Sequence, residues 1–415
     1  LKIFKFFIIK IFLRKALIAF SVLVLFFLAN YLVFIAARAT ISTLQGYDEM
    51  KHLNQADSYI ANIDSESEMN NAAFENLSKI KKKNTQNVYD YLADNNYNYA
   101  LYTDGMIGAV SNDYDMEVSF AYLNEAYYKL NKQFEISQGK ALTFDYGLAE
   151  QSPIPVLIGQ GLSETYPIGS MIKVNEPVLQ KEVVLKVQGI LKSNIYHSNL
   201  YALSSKQYYN FSVIVPMNEA FLKASNEALQ FQALLDLILI QTSENEITPL
   251  QKVIQDNLGL AFNFYTQDEN FAFFNEYYFN SLKTISTLTT IIILILSCLM
   301  IWSSLSGIRL MIKDFTINLF VGLSYSKLRK IFYGFYGSLF FINLIALFSV
   351  TAYARYENWL RKDAGFLTFG IFGVIEIDWL ALSAVLLFDI IIGIILVEIM
   401  LWRTKKVPIS LGVFQ

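Results

Sequence analysis

Four apolar runs divide this chain, and their spacing limits its fold more than any other feature. They are Ala16 to Ala37, Thr284–Ser306, Ile331–Ala354 and Trp379–Trp402. At ~1.5 Å per residue, each helix would be roughly 33–36 Å long, enough for a hydrocarbon core about 30 Å thick. The gap after the first run is long, and the next two are short. With 54% hydrophobic residues the chain is too apolar for an ordinary soluble protein and too polar for one wholly in lipid. The expected fold class is an α+β membrane protein. Four transmembrane helices would carry a mixed α/β extracytoplasmic domain inserted between helices 1 and 2.

Charge orients the layout. Residues 1–15 carry Lys2, Lys5, Lys10, Arg14 and Lys15 among Ile and Phe, which reads as an amphipathic interfacial helix. Transmembrane helix 1 follows at 16–37, and Arg38 is the cation just beyond it. A signal peptide would have a shorter apolar core, about 7–15 residues, so an uncleaved anchor is expected. The positive-inside rule puts both termini in the cytoplasm and residues 40–276, which contain no arginine, outside. The expected segments are an extracytoplasmic domain with stalk helices at 38–276, helix 2 at 284–306 and a cytoplasmic loop at 307–330. Helix 3 at 331–354, an outer loop at 355–378, helix 4 at 379–402 and a cytoplasmic tail at 403–415 complete the order. Lys outnumbers Arg, and Tyr and Asn are plentiful, which hints at an AT-rich bacterial genome; the expected location is then the bacterial cell membrane, with lipids as neighbours.

Within the large domain the periodicity predicts a helix over Glu66–Leu92 and a hairpin turning at Asp104-Gly105. A second helix is expected near Phe120–Leu130. Strands are expected at Pro155–Ile158, Ile172–Val174, Val183–Ile190 and Phe211–Val215. Residues 234–241, 249–258 and 260–265 read as a βαβ unit with two parallel neighbouring strands. The aromatic stretch from Thr266 to Lys283 suits an interfacial belt or a stalk entering the membrane.

Several chemistries are excluded. The one cysteine, Cys298, lies in an apolar run, and the two histidines are His52 and His197. Neither a disulfide nor a zinc site is expected, and no nucleophile–base set is visible. No Gly-x-x-x-x-Gly-Lys-Ser/Thr run occurs, so the chain is expected to hold no ATP site or other cofactor. A net charge of −3 gives no reason to expect nucleic acid.

The polar loop Gly307–Lys330 draws attention. Ile308, Met311, Phe315 and Leu319 recur at helical spacing, Gly322 can form a left-handed cap, and Ser324 can start the next helix. Arg309, Lys313, Lys327, Arg329 and Lys330 surround them. Such a helix suits a groove on a cytoplasmic partner, or serves only as a charged loop that sets orientation. The run from Lys313-Asp314 to Val321-Gly322-Leu323-Ser324 resembles the cytoplasmic loop of MacB/FtsX-type ABC-transporter permeases. Asp314 takes the acidic place and Gly322 the glycine place, while Asn318, Leu319 and Phe320 depart from the pattern. Gly139, Ile158-Gly159, Gly169, Val187-Gln188-Gly189-Ile190-Leu191, Pro216 and the tail Val407–Leu411 also resemble that family. There the glycines are read as scaffold residues at tight turns.

The resemblance implies a permease subunit without enzymatic activity of its own. A separate cytoplasmic ABC ATPase, holding ATP and Mg, would dock on Arg309, Lys313, Asp314, Phe315, Leu319 and Gly322. The permease would act as a homo- or heterodimer, and the family exports or extracts peptides, antibiotics, toxins and lipids. An FtsX-like regulator of wall hydrolases is one alternative, although its outer domain is usually smaller. A sensor without an ATPase is another, although no inner segment is long enough for an output domain. Within the spans, Asn30, Asn343 and Asp389 fall at similar depth. Asp389 is expected to face the bundle with Asn343 or Asn30 as its partner, and Glu398 to pair with Arg403 or Arg309.

Overall fold

The computed structural model describes residues 2–64, 67, 70, 81–108, 118–149, 152–199 and 202–406. In chain order, α1 (Lys2–Phe7) passes through a π turn (Ile8–Phe12) and a 3₁₀ turn (Leu13–Lys15) into α2 (Ala16–Leu53). Then come β1 (Ser58–Ile63), α3 (Lys82–Asp94), β2 (Asn98–Ala100), β3 (Tyr102–Gly108), β4 (Val118–Leu123) and α4 (Glu125–Leu130). β5 (Ile136–Gly139), β6 (Ile154–Ile158), β7 (Met171–Glu176), β8 (Lys181–Leu191), β9 (Tyr196–Asn199), β10 (Ala202–Tyr208) and β11 (Ser212–Pro216) follow. The domain ends with α5 (Glu219–Ala224), α6 (Glu227–Leu235), β12 (Ile238–Ile240), α7 (Glu244–Leu258), β13 (Phe262–Tyr265) and α8 (Gln267–Phe273). The last long helices are α9 (Asn280–Phe320), α10 (Tyr325–Arg361) and α11 (Glu376–Lys405).

The chain forms two compact units. One contains residues 1–41, 280–354 and 374–415, and the other contains 42–279 and 355–373. Among the described residues the fold is α+β, with four helices long and apolar enough to cross a membrane and one mixed α/β domain. Every long helix outruns its predicted span. α9 has 41 residues, about 60 Å, or roughly twice a hydrocarbon core.

In the helical unit, Phe7 and Phe12 of the N-terminal segment join Phe315, Phe332 and Phe335 in one aromatic cluster. A second cluster gathers Phe34, Leu347, Ala381, Leu382 and Val385. Arg38 Nε lies 3.3 Å from Asp378 Oδ1. Asp378 Oδ2 also accepts the amide of Ile375 at the start of α11, at 3.1 Å.

The mixed domain holds a seven-stranded sheet ordered β3-β4-β11-β6-β8-β5, with β7 also on β8, and a four-stranded sheet ordered β13-β1-β12-β2. β9 and β10 form a separate hairpin. β4 and β11 are buried along their whole lengths and pair in parallel. Gly159 and Gly139 are scaffold positions: a Cβ at Gly159 would overlap the Tyr209 carbonyl, and one at Gly139 the Gln188 carbonyl.

Three sequence expectations are corrected in this domain. Gly105 takes φ +81 within a continuous β3, where the register against β4 shifts between Thr103 and Met106. Its freedom serves a bulge rather than a hairpin turn. The expected helix at Phe120–Leu130 is strand β4 followed by α4. A short apolar run fits either state, and the helix starts only where the Asn124 side chain accepts the Tyr127 amide. β12 and β13 are parallel but not neighbours, because β1 lies between them, antiparallel to both. The aromatic stretch is helical up to α9, as a stalk would be, and within it Phe271 and Phe279 pack on Tyr47, while Phe274 is buried with Met50 and Leu203. The helix expected over Glu66–Leu92 is α3 where it is visible; residues 65–66, 68–69 and 71–80 lie outside the described residues, as does the tail Val407–Leu411.

The segment after α10 also differs from a plain loop. Residues 355–373 belong to the mixed domain. Asn194 grips Phe369 at both backbone groups, with Nδ2 donating to the carbonyl at 2.7 Å and Oδ1 accepting the amide at 2.8 Å. Asn210 Nδ2 donates to the Leu367 carbonyl at 2.7 Å, and the rings of Phe211, Trp359 and Phe369 meet.

Candidate functional site

The turn between α9 and α10 is built by local chemistry. Gly322 has φ +104, its amide bonds the Leu319 carbonyl, and the Leu323 amide bonds the Asn318 carbonyl. This pair of bonds is a Schellman cap, which satisfies carbonyls that a helix end leaves bare. The Ser324 hydroxyl accepts the Lys327 amide at 3.3 Å and starts α10. Arg309, Lys313, Lys327, Arg329 and Lys330 are exposed around the turn, and Asp314 is half-buried.

The docking residues expected from the sequence do not share one free face. No separate short helix lies at 307–322, because α9 continues unbroken to Phe320. Ile308, Met311 and Phe315 are buried, and Leu319 is partly so. Their face is covered by the chain's own N-terminal segment, with the Phe7 ring 6.2 Å and the Phe12 ring 5.9 Å from that of Phe315. Helical spacing shows that a face must be buried, not what buries it. The opposite face stands open, with Leu310 at 60%, Phe320 at 77% and Val321 at 81% exposure, and Ile317 beside them. The sequence analysis did not read these four residues as one exposed face, although their spacing of seven and three to four carried the signal.

Inside the helical unit, Asn30 Nδ2 donates to Asp389 Oδ2 at 3.2 Å, and both residues are buried. Of the two amides expected near Asp389, Asn30 is the one that reaches it. Asn343, also buried, donates instead to the Leu23 carbonyl at 3.5 Å. Asn30 Oδ1 and Asp389 Oδ1 are buried without a hydrogen bond. Glu398 pairs with Arg329 at 2.9 Å and accepts from Tyr333 at 3.3 Å, rather than meeting Arg403 or Arg309.

The mixed domain contains a polar cluster that no local sequence pattern marks. Glu49, at the end of α2, faces His197 Nδ1 at 2.8 Å and accepts the Ser198 amide at 2.9 Å. Burial lowers the imidazole pKa, but Glu49, with Asp104 and Asp236 nearby, outweighs it and leaves His197 above 6.5. Burial pulls Lys206 down to about 8, while Glu49 pulls the other way. The Lys206 ammonium bonds Gln45 and sits 3.6 Å from the Tyr196 ring centre. Gly46 lets α2 approach this hairpin closely, since a Cβ there would overlap the Leu203 carbonyl. Among the described residues, no group of His, Cys, Asp and Glu is arranged to hold a metal.

These features define a protein with four helices long and apolar enough to cross a membrane, among the described residues, and a mixed α/β domain inserted after the first of them. No protein-family model matches the sequence, and no curated protein does. Among solved structures, the extracellular domain of the noncanonic ABC-type transporter YknZ from Gram-positive bacteria is similar. The match covers 50% of this chain and 100% of that one, at 14% identity and TM-score 0.30.

Proposed function

We propose that this chain is the permease subunit of a MacB-like ABC transporter, with its mixed domain outside the cytoplasm. ATP hydrolysis, and the ATP and Mg it needs, belong to a separate cytoplasmic ATPase in this reading. The permease works as a dimer and moves a peptide, antibiotic, toxin or lipid-type substrate. The observation that carries the reading is the α9–α10 hairpin, a rigid capped turn bearing exposed cations and an open apolar face. One long helix, a large domain and three further long helices form the layout around it. The contact is assigned to Leu310, Ile317, Phe320 and Val321 rather than to Phe315, because Phe315 is already occupied.

The test is co-purification of the full chain from membranes of its own source, with bound ATPase identified by mass spectrometry. Phe320→Asp with Val321→Asp should abolish the association and leave the permease inserted. Phe315→Asp should instead lower the amount of folded permease, because it places a carboxylate inside a packed aromatic cluster. An ATPase retained by the double variant would place the contact elsewhere. A wild-type preparation with no P-loop ATPase would favour the sensor reading.

A further inference from the structure

The mixed domain holds a partly open cavity of about 230 Å³ beside the Glu49–His197 pair, and the hairpin reading does not use it. Its walls come from β3, the β9–β10 hairpin, the end of α6 and the turn at Phe366. The lining is polar, with Asp104, Asp236, His197 and Lys206 the chargeable groups. Glu49 stands directly behind His197. With His197 protonated, three carboxylates meet two cations, so the surroundings carry one net negative charge. The two cations are turned toward other partners: His197 toward Glu49, and Lys206 toward the Tyr196 ring and Gln45. Asp104 accepts the Tyr102 hydroxyl at 2.6 Å, which leaves carboxylate acceptor capacity beyond that one bond.

We propose that this cavity binds a small organic ammonium ion, such as a free amine or the amino terminus of a short peptide. The chemistry follows from the walls. A primary ammonium offers three donors and no acceptor, and Asp104 and Asp236 supply charged acceptors for it. The partly open Phe366 ring at the rim suits a short apolar tail. An anion could still reach Lys206, which keeps donors beyond its bond to Gln45, but it would meet Asp104, Asp236 and a net negative surrounding. The assignment is independent of the ATPase reading, because it concerns the mixed domain alone.

The test uses the purified full chain in nanodiscs at constant ionic strength, with saturation-transfer NMR as the readout. The probes are ethylamine, glycinamide and glycylglycinamide as hydrochlorides, with acetamide as the neutral control. The cations should bind saturably and acetamide should not. Asp104→Asn should weaken binding about tenfold, the order expected for losing one charge-assisted bond. Ser205→Trp, on the exposed rim, should block entry without touching a charge. Thermal unfolding of each variant reports whether the domain is intact. Binding of the two amides but not ethylamine would name a peptide terminus as the source, and equal binding of ethylamine would name free amines. The proposal is overturned if no cation saturates, if acetamide binds as well as the cations, or if folded Asp104→Asn and Ser205→Trp both bind like wild type.

Discussion

Asn30 and Asp389 show how one polar contact is sustained among apolar helices. One bond joins them, and each residue keeps a buried oxygen without a partner. Asp389→Asn supplies a donor while keeping the acceptor, so the pair can exchange two bonds. It should leave stability unchanged or raise it by up to about 1 kcal/mol. Asp389→Leu strands the Asn30 amide and should cost about 1–2 kcal/mol at most. Unfolding in mixed micelles measures both, and if the proposed transport holds, its loss in a stable Asp389→Asn protein would show that the carboxyl does more than join helices. The Glu49–His197 pair has its own signature. The folded pKa of His197 is raised above 6.5, so its contribution is full below about pH 6.5 and is lost as pH rises through the raised value. His197→Gln should therefore destabilise the domain most at low pH, by about 1.5–3 kcal/mol, the range for a bond to a charged group. The gap from wild type should close as pH rises. A gap that stays constant across pH would mean that packing, not charge, holds His197.

The α9–α10 turn shows which elements could be read from the sequence. Gly322 and Ser324 were legible because a cap depends on one residue's φ and one side chain's reach, both of which are local. Nothing lies within 4 Å of a Cβ added at Gly322, so Gly322→Ala tests backbone conformation alone. It should cost about 1 kcal/mol, and Gly322→Asn should recover part of that because Asn tolerates left-handed φ. Equal stability of both variants with wild type would show that the cap does not hold the turn. Phe315 was not legible in the same way. Its periodicity was clear, but its partners Phe7 and Phe12 lie some three hundred positions earlier, and no local pattern links them. The same limit hid β1 between β12 and β13. Gly105 failed for a different reason: a positive φ serves a bulge as readily as a turn, and only the register of β4 decides between them. The long apolar helices were readable in kind, but their ends were not. Polar stretches such as Gln45–Leu53 and Ile308–Phe320 continue the helix past the apolar run that identified it.

At the scale of the whole molecule, the chain passes between its two units four times, and the mixed domain includes a piece that comes late in the sequence. Residues 355–373 follow the end of α10 and return to the helical unit at Val374. Three side-chain bonds to the backbone of Leu367 and Phe369, plus the Phe369 ring stacked on Phe211 and Trp359 edge-on to it, make them part of the domain. Asn194 is the residue to test, because it supplies two of those bonds and also sits at φ +62. Asn194→Ala would mix the lost bonds with backbone strain, whereas Asn194→Gly keeps the conformation and removes only the side chain. Two backbone groups of Phe369 then lose their partner, at a cost of about 1–3 kcal/mol. Amides of residues 364–373 should exchange with deuterium at least about tenfold faster in Asn194→Gly, because local opening follows local free energy. Amides in β4 and β11 should not change, since their bonds lie within the buried sheet. If those strands speed up equally, the late segment folds as one unit with the sheet. If nothing speeds up, the Phe211, Trp359 and Phe369 rings hold the segment without Asn194.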